Sequence, residues 1–216
     1  MDDFDYVVSG PNIGHNAGIA SVMSSGTVGA AMEAALLGKR SIAISFPYFR
    51  GPSGITPDLV NSAASVAVAV TRRLADDWPT GAEVVNVNIP LGVGTEEAWG
   101  ATGETGGIPR DGVEGVRMEW LEVTGHPERE VAVVWTEVAR DVGYGSLFAA
   151  SEHERVRERV RGDGETPEKG TRHFKWEPQG LRVFQRESAK GTDVWAMRKG
   201  AVSVTPMRAG VAAVGS

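Results

Sequence analysis

The chain has 216 residues, of which 41% are hydrophobic and 23% charged, so it has the size and composition of a globular protein with one substantial core. Its formal net charge of −6 argues against a broad basic surface for nucleic acid, and no apolar run approaches the roughly 20 residues of a membrane span. Cysteine is absent, which excludes disulfides, thiolate metal sites and a cysteine nucleophile. The acidic first residues lack the pattern of a signal peptide, so we expect a cytoplasmic protein that binds neither nucleic acid nor membrane.

Strand-like and helix-like segments alternate through residues 1–91. Strands are predicted at residues 4–9, 41–46 and 84–89, and a proline stops each of the last two. A small-residue helix is predicted at residues 27–37, before Gly38, and a longer helix begins at Pro57 with apolar residues at helical spacing. Strands separated by helices of this length indicate parallel crossovers, and therefore an α/β fold with a doubly wound sheet.

The composition changes after residue 91. Residues 92–115 are a glycine-rich polar stretch that is typical of a loop. Strand-like segments at residues 116–123 and 131–138 predict a hairpin or an extended β arm, and short strands are expected at residues 181–185, 194–197 and 201–205. The predicted organisation is an α/β part at residues 1–91, the loop, a β-rich arm with closing strands at residues 116–206, and a tail at residues 207–216.

Residues 9–38 contain the pattern with the most chemical content. Three glycines stand four residues apart, with Asn12 and Asn16 between them, directly after a predicted strand. Glycine lets the backbone approach a ligand, while asparagine offers a carbonyl oxygen to a hard cation or amide hydrogens to an anion. Because ligands of open α/β sheets bind beyond the carboxyl ends of the strands, this segment predicts a phosphate-and-metal site.

The same segment continues into the start of a predicted helix. Ser25, Gly26 and Thr27 stand where unpaired backbone N–H groups and the helix dipole attract an anion. A glycine-rich turn before a helix that only packs closely on the sheet explains the pattern too, and both interpretations stay open at this point. His15 is close enough in sequence to contact phosphate or protonate a leaving group, although a supporting or surface position is favoured.

Residues 9–38 contain too few charged side chains to bind a metal ion by themselves. Between residues 9 and 38 Glu33 is the only charged side chain, and it falls inside the predicted helix. Mg²⁺ and Mn²⁺ need carboxylates, so Asn12 is expected to be an auxiliary ligand whose partners come from elsewhere. Asp2, Asp3 and Asp5 are rejected as partners because they precede or enter the predicted strand, and Asp3 lies roughly 20 Å from its exit at about 3.3 Å per residue.

These residues resemble the SurE family of survival-protein phosphatases, a metal-dependent 5′-nucleotidase and acid phosphatase group. The family pattern S-G-x-N-x-G-x-N, followed by S-G-T-V-G-A-A-x-E-A, is met at residues 9–16 and 25–34. The runs VNVNIP at residues 85–90 and TDVWAMRKGAVSVTP at residues 192–206 add support in the same order along the chain. The resemblance is dense over residues 5–46 and extends more loosely to residue 206.

The resemblance implies a fold and a set of site residues. The fold is a Rossmann-like, three-layer α/β core with a parallel sheet and an extended β-hairpin arm that serves dimer or tetramer assembly. Asn12 matches the asparagine metal ligand of the family, and the metal is Mg²⁺ or Mn²⁺. Ser25, Gly26 and Thr27 match its phosphate-side turn, and Asn16, in the same loop as Asn12, is expected to bind phosphate as well.

The implied function is metal-dependent hydrolysis of phosphate monoesters such as nucleoside monophosphates. One part of the family pattern has no counterpart: the strand that ends in T-N-D-D-G and supplies the main metal carboxylates. Residues 1–91 are therefore expected to be the C-terminal portion of the core. The alternative is a catalytically inactive, phosphate- or nucleotide-binding or assembly module.

Overall fold

The computed structural model describes residues 4–49, 54–93, 107–140, 148–150, 174–176 and 188–210. Strands and helices alternate through the first half, and strands dominate the second. In chain order the elements are β1 (Tyr6–Ile13), α1 (Ile19–Ser24), α2 (Gly26–Leu36), β2 (Arg40–Phe46), α3 (Pro57–Asp76), β3 (Val84–Asn88), β4 (Met118–Val123), β5 (His126–Trp135), β6 (Phe148–Ala150), β7 (Phe174–Trp176), α4 (Asp193–Arg198) and β8 (Val202–Met207).

The central sheet has six strands in the order β1-β2-β3-β8-β5-β4. Strands β1, β2 and β3 are parallel, because helices connect them. Strand β8 runs antiparallel to β3 and parallel to β5, and β4 is antiparallel to β5. Strands β6 and β7 pair with each other. The predicted α/β class is confirmed.

The main hydrophobic core lies between the sheet and α3. Helix α3 begins after Thr56, whose side chain accepts a hydrogen bond from the Leu59 N–H at 3.3 Å, and Pro57 occupies its first turn. Its buried face carries alanine, valine and leucine at helical spacing. This face packs on aliphatic side chains from four strands: Ile42, Ile44, Val85, Val87, Val131, Val133, Val202 and Val204.

The opposite face of the sheet is covered by α2 and α4 and is partly polar. Alternate residues of a strand point to the same face, so one set of side chains lies beneath these helices. The buried polar members of this set are Ser41, Ser45, Asn86, Asn88, Ser203 and Thr205. Helices on both faces make the three-layer arrangement that the resemblance implies.

The structure bears on two expectations about the second half: the predicted hairpin is confirmed, and one predicted strand is wrong. The hairpin β4-β5 forms, but it extends the central sheet through β8 rather than projecting as a separate arm, because Val131 and Val133 are buried in the main core. The strand predicted at residues 194–197 is helix α4, whose start is capped by Thr192 accepting from the Trp195 N–H at 3.4 Å. The strand predicted at residues 181–185 lies outside the described residues.

Within the described parts of the chain, no helix combines the length and the apolar character that crossing a membrane requires.

Candidate functional site

Strand β1 ends at Ile13 rather than at the predicted residue 9, and it carries one extra residue in its middle. Ser9 pairs with Ala43 of β2, but Asn12 pairs with Ser45, so three steps on β1 match two on β2. The irregularity contains a cis Gly10–Pro11 peptide and a φ of +103° at Gly10. A Cβ at Gly10 would collide with the Ile44 carbonyl oxygen, so only glycine fits. The bulge places Asn12 beside Ser45.

The Asn12 side chain is the centre of a hydrogen-bond network. Its Oδ1 accepts from Ser45 Oγ at 2.8 Å, from Thr27 Oγ1 at 3.0 Å and from Asn16 Nδ2 at 3.3 Å. Asn16 Nδ2 also donates to Ser45 Oγ at 2.5 Å. The structure therefore brings together three of the predicted site residues and adds Ser45 to them.

The remaining predicted residues begin α2. Ser25 is its N-cap: the hydroxyl oxygen accepts from the Val28 N–H at 3.1 Å, and the carbonyl oxygen accepts from the Gly29 N–H at 2.9 Å. The N–H groups of Gly26 and Thr27 precede the first intrahelical donor and have no acceptor within the helix. Gly26 is exposed and Thr27 is half-buried. This helix start is open to an anion on the same surface as Asn12.

Two asparagines of β3 form hydrogen bonds with the backbone of the loop between β1 and α1. The Asn16 N–H donates to Asn88 Oδ1 at 2.8 Å, and the Asn16 carbonyl oxygen accepts from Asn86 Nδ2 at 2.6 Å and from Asn88 Nδ2 at 3.3 Å. Asn16 is 6% exposed. It lies beneath Asn12, with its backbone fixed by β3 and its Nδ2 by Asn12 and Ser45.

Sequence reasoning missed this supporting role of β3. The available signal was the alternation in VNVN, which places two asparagines on one face of a strand whose other residues are all valine. Such a face is buried in a parallel sheet, so its amides need partners, and the loop backbone provides them for Asn86 Nδ2 and for both polar atoms of Asn88.

Asp193 holds the far end of the loop. Its Oδ2 accepts from the Gly18 N–H at 2.9 Å, and its Oδ1 accepts from Ala139 at 2.9 Å and Val194 at 2.8 Å. Burial raises the pKa of the Asp193 carboxyl, and the backbone N–H donors, which favour the carboxylate, act against that rise. The motif TDVWAMRKG gave resemblance but no role for this aspartate.

The described residues do not by themselves fit a divalent metal. They contain no group of three or more histidine, aspartate, glutamate or cysteine side chains that would hold an ion. The Asn12 carbonyl oxygen has two lone pairs and already accepts from three donors. Asn12 as a metal ligand therefore stays a prediction that requires carboxylates and a rearranged network.

Comparison with known proteins gives matches over the region of this site and beyond. Residues 1–107 match the family model described as survival protein SurE. The 5′-nucleotidase SurE of Ruegeria pomeroyi is 32% identical over 214 residues, which are 97% of this chain and 62% of that protein. The 5′-nucleotidase SurE of Methanoculleus marisnigri is 44% identical over 95 residues, which are 41% of this chain and 36% of that protein.

Two further matches differ in kind. A probable tubulin–tyrosine ligase, PBY1, of Saccharomyces cerevisiae is 41% identical over 91 residues, which are 42% of this chain and 12% of that protein. The crystal structure of the SurE protein from Aquifex aeolicus matches 96% of this chain and 60% of that chain with a TM-score of 0.55 and 24% identity, a likeness of fold. The chain spans less than two thirds of the length of each of these relatives.

Proposed function

The chain belongs to the SurE-like family, and on that premise we propose that it acts in phosphate monoester hydrolysis, with a nucleoside monophosphate as the substrate. The observation that carries the proposal is the 3.0 Å hydrogen bond from Thr27 Oγ1 to Asn12 Oδ1. It fixes the open start of α2 against the end of β1, so that donors from both elements face one surface.

The proposed phosphate contacts follow from which groups are already used. The Thr27 hydroxyl donates its hydrogen to Asn12 Oδ1, so Thr27 offers the phosphate its backbone N–H instead, together with the N–H of Gly26. The Ser25 hydroxyl oxygen accepts from the Val28 N–H, which leaves its hydrogen for a phosphate oxygen. Asn12, with its Oδ1 engaged, offers its Nδ2 hydrogens to the same anion. Asn16, expected from the sequence to bind phosphate as well, is 6% exposed and its Nδ2 already donates to Asn12 and Ser45, so in this proposal it orients Asn12 instead of contacting the anion.

Mg²⁺ or Mn²⁺ is part of the proposal because the family is generally dependent on a divalent metal. Such an ion, when bound, polarises the phosphoryl group and supplies an activated water. Among the described residues Asn12 is the ligand that the resemblance offers it, and binding there has to replace the hydrogen bonds donated by Thr27 and Ser45. Assembly into a dimer or tetramer is also proposed, with β1 and β4 at the two edges of the sheet that the described residues form.

The test is hydrolysis of p-nitrophenyl phosphate and of AMP by the 216-residue chain, with and without Mg²⁺ or Mn²⁺. Asn12→Ala should lower kcat/KM by about tenfold or more, because it removes an oriented amide and releases Thr27. The matched control is Asn61→Ala, an exposed asparagine on α3. In parallel, inorganic phosphate should shift the backbone amide resonances of Gly26 and Thr27. If the chain shows no turnover and phosphate causes no shift of these two amide resonances, the proposal is overturned.

A second candidate is a non-catalytic phosphate- or nucleotide-binding module. The observation that favours it is the absence of an acidic or histidine cluster among the described residues, combined with the filled Asn12 oxygen. This candidate predicts amide shifts at Gly26 and Thr27 with phosphate or AMP and no metal-dependent turnover. Robust turnover in the 216-residue chain would exclude it.

A further inference from the structure

A buried aspartate near the C-terminal end of the described chain contacts the loop that carries Asn16. Asp193 is 0% exposed, and its Oδ2 accepts from the Gly18 N–H at 2.9 Å across 175 residues of sequence. Gly18 is the residue before α1 and has a φ of +75°, so its backbone adopts a conformation that glycine tolerates best. The carboxylate therefore fixes the point where the loop ends.

The contact belongs to a small connected set of hydrogen bonds. Asp193 Oδ1 accepts from Ala139, and the Ala139 carbonyl oxygen accepts from the Ile19 N–H at 2.9 Å, directly after Gly18. The Asp193 N–H donates to the Glu137 carbonyl oxygen at 2.9 Å. The segment after β5 and the start of α4 are thus joined, and together they hold two consecutive N–H groups of the loop.

Apolar side chains next to Gly18 and Asp193 in sequence pack together beside the contact between these two residues. Ala17, Ala139, Val194 and Met197 form one buried cluster in which each is 0% exposed. Water is excluded from this place, so the N–H of Gly18 depends on its protein acceptor. The loop between β1 and α1 is consequently held at Asn16 by β3 and at Gly18 by Asp193.

We infer that Asp193 is a positioning residue for the phosphate site, which acts through Gly18 by fixing the loop that orients Asn16 and Asn12. The chemistry of the side chain is decisive, because a carboxylate offers acceptor oxygens on both sides, to Gly18 on one and to Ala139 and Val194 on the other. An asparagine of the same shape keeps one oxygen and turns an NH2 group, which cannot accept, toward one of these donors. The role in phosphate binding rests on the proposed function; the fixing of the loop does not.

The test compares Asp193→Asn with Asp58→Asn. Both aspartates lie in the first turn of a helix that a threonine caps, but Asp58 is exposed whereas Asp193 is buried. The measurements are amide hydrogen exchange by NMR, resolved at Gly18 and Ile19, and the affinity for inorganic phosphate. Asp193→Asn should speed exchange at Gly18 by roughly tenfold or more, since a buried N–H loses its acceptor. Exchange at the core residue Val85 should stay unchanged in both variants.

The expected result for phosphate is a dissociation constant raised several-fold by Asp193→Asn and unchanged by Asp58→Asn. Unchanged exchange at Gly18 in a folded Asp193→Asn protein would overturn the inference, and so would equal effects of the two variants. If exchange rises but neither the wild type nor the variant binds phosphate, the proposed function fails while the fixing of the loop stands.

A measurement on the wild type covers the case in which Asp193→Asn does not fold. On acidification the amide resonances of Gly18, Ala139 and Val194 should move together, because the three donors share one titrating carboxyl. The affinity for sulfate, whose charge is constant in this range, should fall over the same pH interval. Resonances that move at different pH values, or an affinity that does not follow them, would contradict the inference.

Discussion

Asn88→Ala removes the acceptor of a buried backbone N–H and leaves most of its surroundings in place. The Asn16 N–H loses its 2.8 Å bond to Asn88 Oδ1, and at 6% exposure water does not replace it. The Asn16 carbonyl oxygen loses only the 3.3 Å bond, since Asn86 Nδ2 still donates at 2.6 Å. The orphaned donor dominates, so we expect the free energy of unfolding to fall by about 2 kcal/mol.

Asn86→Ala is the informative comparison. Asn86 Oδ1 is buried with no hydrogen-bond partner in the described structure, so the substitution removes an unsatisfied acceptor as well as one donor. Its cost should be under about 1 kcal/mol, because Asn16 O keeps the Asn88 donor. Urea unfolding monitored by tryptophan fluorescence measures both variants, with Asn61→Ala as the exposed control. Equal costs, or a larger cost for Asn86→Ala, would refute the reasoning.

Three further outcomes are expected. Gly10→Ala should lower the free energy of unfolding by at least about 2 kcal/mol, since φ is +103° and a Cβ meets the Ile44 carbonyl oxygen. Gly29→Ala, in the open interior of α2, should raise the free energy of unfolding by about 0.5–1 kcal/mol. Thermal unfolding of the two variants measures both changes. Burial raises the pKa of Asp193 above 3.8, so its contribution to stability is fully present below pH 3.8 and is lost as pH rises through the folded pKa. The unfolding free energy of wild type relative to Asp193→Asn should therefore increase on acidification, and a constant difference would contradict the direction of that shift. Glu119→Gln should cost less than about 1 kcal/mol and less still at high salt, because the 3.1 Å pair with Arg73 is partly exposed.

The sequence predicts best where local chemistry decides the structure. Helix α3 is recognisable because Thr56 and Pro57 mark its start and its apolar residues follow helical spacing. The turn at Ser25 is recognisable for the same reason, since the N-cap and the helix start are a few residues apart. The proximity of Asn12, Asn16 and Thr27 was predictable from their place in one short segment, although Asn12 lies within β1 rather than beyond it.

Long-range pairing decides the features that the sequence does not reveal. The bulge in β1 that aligns Asn12 with Ser45 depends on the register with β2, which no local pattern encodes. The residues 116–138 have the alternation of a hairpin, but only the pairing of β5 with β8 determines that the hairpin joins the sheet. The contact of Asp193 with Gly18 joins residues 175 positions apart, and no local pattern in either segment indicates that they meet.

The place of β8 in the sheet also determines when the fold can be completed. Strands β3 and β5 contact each other only through β8, the last strand of the described chain, which lies between them. During synthesis the parallel strands and the β4-β5 hairpin therefore emerge as two separate pieces, each with an unpaired edge, until residues 202–207 leave the ribosome. A ribosome-bound intermediate that stops before residue 202 should accordingly be a better chaperone substrate than the released chain, and its aggregation should end when β8 inserts.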